Sequence, residues 1–169
     1  MRCKICRSKF EVKYFLQKTC LNPKCIIEWN RKVKATKWKK EKTILKESLK
    51  TQGDYLKELQ VVFNKFIRLR DKGNNCISCN NPCKKENAGH YRSVGSSPGL
   101  RFNELNVHLQ CEYCNTYKHG NLINYRVNLI NKIGLDKVEE LESYIGLNKL
   151  SITELKELKQ VYKNKIKEL

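Results

Sequence analysis

Eight of the nine cysteines fall into four close pairs, Cys3/Cys6, Cys20/Cys25, Cys76/Cys79 and Cys111/Cys114, and this spacing constrains the chain more than any other feature. The odd count, in a chain whose N-terminus lacks a charged-then-apolar export pattern, disfavours a disulfide framework and favours thiolate ligation of metal. Four thiolates complete one tetrahedral zinc site. The pairs therefore suffice for two structural zinc ions, one on Cys3, Cys6, Cys20 and Cys25 and one on Cys76, Cys79, Cys111 and Cys114, with Cys83 left as a spare thiol. A four-thiolate sphere has no open position, so hydrolytic chemistry would need another centre.

A third of the 169 residues are charged, which argues for small modules over one large core. Positive charge is concentrated early: residues 1–50 carry 16 Lys and Arg against 4 Glu, twelve of the eighteen net positive charges. Such density predicts a polyanionic partner, nucleic acid, without choosing between DNA and RNA. No run of eighteen apolar residues exists, so the expectation is a soluble cytoplasmic protein with no membrane contact.

Residues 1–27 read as a zinc knuckle, too short to fold by apolar burial, in which Asn22-Pro23 turns the chain between the last two thiols. Residues 28–53 read as a basic helical linker. Its lysines, Lys37, Lys39, Lys40 and Lys42 among them, lie along a phosphate backbone or form a solvated charged face. Asp54 is the expected N-cap of a helix with Leu56, Leu59, Phe63, Phe66 and Ile67 on one face. A turn cluster at 71–75 then leads into Cys76. Residues 104–110 alternate as a strand, with Leu105, Val107 and Leu109 on a core face and Asn106, His108 and Gln110 on a polar one. A helix starting just past Cys114 would project Asn115 and His119 from one face, where an amide oxygen and an imidazole can share a cation. A stripe of Leu122, Tyr125, Leu129 and Ile133 stops at Gly134, and Ser151 to Glu154 is a capping box opening a last helix with Leu155, Leu158, Tyr162 and Ile166.

The segments AGHY at 88–91, LRFNE at 100–104, N-x-H-x-Q-C-x-x-C-N at 106–115 and GNL-x-x-YRV-x-LI at 120–130 resemble the HNH, or His-Me finger, nucleases. Within these they are similar to the NinG/Rap family of phage recombination endonucleases. The resemblance covers residues 62–141 well and the N-terminal cysteines and basic linker more loosely. It implies a mostly helical α+β fold: a zinc-stapled ββα, treble-clef-like nuclease core over residues 54–145 with its packing helices, a C-terminal helix at 146–169 and the small N-terminal knuckle.

By position, the resemblance implies that His90 is the general base, that Asn106 orients the loop bearing it, and that Asn115 binds a catalytic Mg²⁺ or Mn²⁺. Where many relatives have a metal-binding Asp just before the first His, this chain has Gly89, so Asn87, Glu86 and His119 are the alternative donors. Arg92, Arg101 and Lys118 flank the site and could grip phosphates. The implied activity is hydrolysis of branched DNA, Holliday junctions or D-loops, in the nucleoid or the cytoplasm of a phage-infected host. The rivals are a non-catalytic zinc-dependent DNA-binding protein and an HNH nicking enzyme on linear duplex. Paired cuts at a junction would call for a C2 homodimer, built on the Leu56 or Leu155 stripe unless the chain buries those stripes itself.

Neutralising Lys37, Lys39, Lys40 and Lys42 together is expected to weaken DNA binding and to lower the slope of log affinity against log salt by about one for each phosphate the helix no longer neutralises. Salt titrations with an unchanged slope would return this helix to solvated surface.

Overall fold

A computed structural model describes residues 1–147 and 149–169. Two compact units are present, Met1–Lys50 and Thr51–Leu169. Both are organised around four sulfurs.

In the first unit, Arg2 and Lys9 bridge, Cys3 N–H donates to Ser8 O (2.9 Å) and Lys4 N–H to Lys18 O (3.0 Å). Buried Gln17 ties the intervening loop, accepting from Lys13 N–H (2.8 Å) and donating to Thr19 O (2.8 Å). Asn22 caps helix α1 (Pro23–Ser48) by accepting from Lys24 N–H (2.9 Å), with Pro23 in the first turn where its missing N–H costs nothing. Helix α1 therefore starts inside the knuckle, and Cys25 is its one buried residue. The rest of this helix is exposed or half-exposed, Trp38 and Ile44 included.

The second unit opens with α2 (Gln52–Arg70). Its N-cap is Thr51 and not Asp54: Thr51 accepts from Asp54 N–H, and the Asp54 carboxylate returns the bond to Thr51 N–H (2.9 Å). This reciprocal pair satisfies two otherwise orphan donors, so the helix begins three residues earlier than its apolar stripe suggests. Strands β1 (Glu86–His90) and β2 (Val107–Cys111) pair antiparallel, with Gly89 opposite His108 and His90 opposite Val107. Helices α3 (Leu122–Ile133), α4 (Leu135–Ser143) and α5 (Ile152–Glu168) follow, the last opened by the Ser151–Glu154 capping box. This is a mostly helical α+β fold with one small sheet.

Helices α2 and α5 cover each other. Tyr55, Leu59, Phe63, Phe66 and Ile67 pack with Leu155, Tyr162 and Val107, each such side chain gaining about 1.5–3 kcal/mol from burial. The two apolar stripes are thus consumed within the chain, and a second copy would need a different surface. On the other side of the hairpin, Tyr91, Leu100, Tyr125, Leu129, Val138 and Leu141 form a second cluster.

Strand β2 starts at Val107, and Leu105 is exposed rather than part of the core. The polar face of this strand is also interior: Asn106, His108 and Gln110 are all buried. Asp71, at the end of α2, holds the strand by accepting from Leu109 N–H (3.0 Å) while bonded to Arg70, whose guanidinium also donates to Val107 O (2.9 Å) and Glu104 O (2.9 Å). Burial opposes the Asp71 charge, but Arg70 and the Leu109 N–H outweigh it and hold its pKa below the ordinary carboxylate value.

Both quartets, Cys3/Cys6/Cys20/Cys25 and Cys76/Cys79/Cys111/Cys114, place their sulfurs within 4.8 Å of one another, and none of the nine cysteines is disulfide-bonded. A zinc–sulfur tetrahedron with bonds of about 2.3 Å has edges of about 3.8 Å. The Cys6–Cys20 and Cys79–Cys111 separations are 3.8 and 3.9 Å. Both clusters fit zinc. Metal analysis of the purified protein is expected to return two zinc ions per chain, and a value of one or none would refute the assignment. Cys111→Ser should lose one zinc and unfold the second unit in denaturant titrations, whereas Cys83→Ser should change neither.

Candidate active site

The hairpin carries His90 at the end of β1, and a 16-residue loop leads back to β2. His90 Nε2 lies 2.9 Å from the Arg101 carbonyl oxygen. A carbonyl only accepts, so the proton sits on Nε2 and Nδ1 keeps a lone pair. Burial pushes the His90 pKa below its ordinary value, and the ring is neutral at pH 7. The geometry makes Nδ1 a proton acceptor with a fixed direction.

Asn106, fully buried, spends its whole side chain on the loop that follows His90. Its Oδ1 accepts from Arg92 N–H (2.8 Å), and its Nδ2 donates to Arg92 O (3.0 Å) and Leu100 O (3.1 Å). Its own carbonyl accepts from Tyr91 N–H (2.8 Å). The loop is closed on itself, which sets where the Arg101 carbonyl stands. Arg101 is in turn tied to α2 through Nε–H to Gln60 Oε1 (2.7 Å). Arg92 donates to Ser97 Oγ (3.4 Å), and Lys118 is exposed with Nζ 5.1 Å from the Tyr113 ring centre.

The region past Cys114 departs from the sequence expectation. Residues Tyr113–Tyr117 form a π-helical turn, closed by Lys118 N–H to Tyr113 O (3.0 Å). His119, Gly120 and Asn121 then all take positive φ, and α3 begins only at Leu122. Asn115 and His119 therefore do not share a helix face. The chain turns back onto Cys114 of the sulfur quartet: Asn121 Nδ2 points at Cys114 Sγ (3.6 Å) and Gly120 N–H bonds Cys114 O (2.9 Å), a reversal that places a glycine at φ +91.

Gly89 is explained by its neighbour across the hairpin. A Cβ there would lie 2.9 Å from the Cβ of Gln110 and would fall on its amide. Gln110 is held by Nε2 donation to Gly120 O (2.6 Å) and Ser78 Oγ (2.6 Å), and its Oε1 has no hydrogen-bond partner among the described residues. No side chain fits at position 89 while Gln110 stays in place.

Over residues 1–169 the chain matches the family model described as Bacteriophage Lambda NinG protein. The chain belongs to the NinG family. It is 44% identical over 127 residues to Protein ninG of Escherichia phage lambda, covering 75% of this chain and 62% of that protein. To Protein ninG of Salmonella phage P22 it is 42% identical over 127 residues, covering 75% of this chain and 63% of the relative. The matched region thus spans less than two thirds of these relatives' length. No solved structure matches the chain.

For a catalytic divalent ion this NinG-family chain offers few donors. Apart from the two cysteine quartets, no group of three His, Cys, Asp or Glu ligand atoms converges among the described residues. Asn87 lies on the Gly89 face of β1, opposite Gln110, whereas Glu86 is exposed on the other face and His119 is exposed in its left-handed turn. Oxygen donors such as Asn115 and Asn87 suit Mg²⁺ in kind, and Mg²⁺ keeps several waters and takes substrate phosphates as ligands, so a sparse protein set is chemically consistent with it.

Beneath the hairpin lies a relay of neutral groups. Tyr125 Oη donates to Gly89 O (3.0 Å), so its contact with His108 Nδ1 (3.2 Å) is donated by the imidazole. Burial, with Lys132 and Arg70 nearby, pushes the His108 pKa down to about 3. His108 is thus support for the peptide next to His90. Tyr125→Phe keeps the ring but leaves the buried His108 Nδ1–H without its acceptor and the Gly89 carbonyl with its ladder bond alone, an expected loss of about 1–3 kcal/mol in urea unfolding of the zinc-loaded protein. An unchanged midpoint would remove Tyr125 from this role.

Proposed function

We propose that the chain is a metal-dependent endonuclease hydrolysing phosphodiester bonds in branched DNA, with the hairpin as an HNH-type core. The observation that carries this reading is the Nε2 bond of His90 to the Arg101 carbonyl, which leaves Nδ1 as a neutral, oriented base. In this mechanism Nδ1 of His90 removes a proton from the attacking water. Asn106 keeps the Arg101 carbonyl, and hence the ring, in place through its three loop bonds. Arg92, Arg101 and Lys118 hold the phosphates on either side of the scissile bond. Asn115 would hold one Mg²⁺ or Mn²⁺, with Asn87, His119 or Glu86 as further donors; when bound, the ion supplies charge stabilisation at the leaving 3′ oxygen. The products are 5′ phosphate and 3′ hydroxyl ends.

A labelled four-way junction and a matched linear duplex, each incubated with the purified protein with and without Mg²⁺, test the reading. Cutting confined to the junction supports it, cutting of linear duplex makes the protein a nicking enzyme, and binding without cutting makes it a DNA-binding protein. His90→Ala should lower the single-turnover rate by about 10²–10⁴-fold with junction affinity retained. The base must be deprotonated and its pKa is depressed, so the wild-type rate should fall as pH is lowered, with its half-maximal point below the ordinary histidine pKa. A half-maximal point above the ordinary value would exclude His90 as the base.

A further inference from the structure

The π-helical turn that carries Asn115 also carries two exposed aromatic rings. Tyr113 and Tyr117, four residues apart, are 60% and 69% exposed. Their ring centroids are 6.2 Å apart with an interplanar angle of 35°, so the rings lean on each other with no space for a third ring between them while both stay largely open to solvent. Lys118 Nζ stands 5.1 Å from the Tyr113 centroid. From Tyr113 to Gly120 there is no acidic residue, and the neighbouring Glu112 is ion-paired with Lys85.

Water-exposed tyrosines on a flexible segment would mean little, but this segment is pinned at several points. Cys114 lies within it and Cys111 just before it, both in one zinc-fitting quartet. Lys118 N–H bonds Tyr113 O, Gly120 N–H bonds Cys114 O and Gln110 bonds Gly120 O. A pre-ordered aromatic surface loses little entropy when a flat ligand lands on it. The combination of exposed π faces, an adjacent ammonium and no carboxylate of its own matches a nucleotide, whose base meets the rings while its phosphate meets Lys118.

We infer that Tyr113 and Tyr117 form a stacking platform for an unpaired nucleobase of the DNA. The inference rests on the reading of the chain as acting on branched DNA and deepens it: the feature recognised is a base out of its stack, as found at a branch point or in a flap. Paired bases in a duplex have no free face for these rings, so the platform discriminates branched from linear DNA without reading sequence.

The test uses the full-length zinc-loaded protein without added Mg²⁺ and two DNAs, a branched molecule with 2-aminopurine in its unpaired arm and a fully paired duplex of the same length. Wild type should quench the 2-aminopurine. The double variant Tyr113→Ala/Tyr117→Ala should bind the branched DNA about tenfold or more weaker with duplex affinity unchanged. Tyr113→Phe/Tyr117→Phe, which keeps the rings, should retain both affinity and quenching, whereas Tyr113→Leu/Tyr117→Leu should lose them. Zinc content verifies that each variant is folded, and if the alanine variant fails this check the phenylalanine and leucine pair decides. Absence of quenching by wild type, equal losses on both DNAs, or full binding by the leucine variant would overturn the platform. Quenching without junction cleavage in Mg²⁺ would instead overturn the nuclease reading and leave the platform standing.

Discussion

Convergence of Cys76, Cys79, Cys111 and Cys114 is the constraint on which the second unit depends. The two strands of the hairpin are five residues each, too short to persist alone, and one face of β2 is lined with amide and imidazole groups that would prefer water. A zinc ion held by the four sulfurs would fix the entry to the hairpin and the exit from β2 at one point. With these ends joined, Asn106 is bonded to the loop, His108 to Tyr125 and Gln110 Nε2 to Ser78 and Gly120, whereas Gln110 Oε1 keeps no partner among the described residues. The hydrophobic clusters pack against the hairpin so held.

That order of dependence explains why the candidate base is well directed although it sits near an irregular loop. His90 is oriented by Arg101, Arg101 by the Asn106 clamp and by Gln60 of α2, and β2 by Asp71 at the end of the same helix. Helix α2 thus reaches the site by two routes, through a side-chain amide and through a buried carboxylate. The apolar packing of α2 on α5 is part of the site's support.

Much of this was legible in the residues. Cysteine spacing identified both quartets, because zinc needs four thiolates and the sequence pairs them. Helical periodicity identified α2, α3 and α5, because their stripes are long and interrupted by glycine or a capping box. The conformation after Cys114 was only partly legible: Gly120-Asn121 marks a turn, but nothing in the residues before it distinguishes a π-helical turn from the start of a regular helix. Nor was the burial of the polar face of β2, since alternation reports which residues share a face but not what covers it. Tyr125 read as one more core residue of its stripe, and only the folded chain shows its hydroxyl bonded to Gly89. The Gly89 departure looked like a missing ligand in the sequence and is, in space, a packing requirement of Gln110.

The acceptor that sets the His90 tautomer is a main-chain oxygen. No substitution of the side chain at position 101 can delete it, so the proton inventory of the ring is encoded in the path of the chain and not in the identity of a partner residue. Point changes in the loop between β1 and β2 are therefore tolerated by this bond as long as the path survives. A single inserted or deleted residue there would change that path, and with it the partner of Nε2. The vulnerability of the site lies in loop length, and drift in the family would be expected to alter the letters of this loop far more readily than their number.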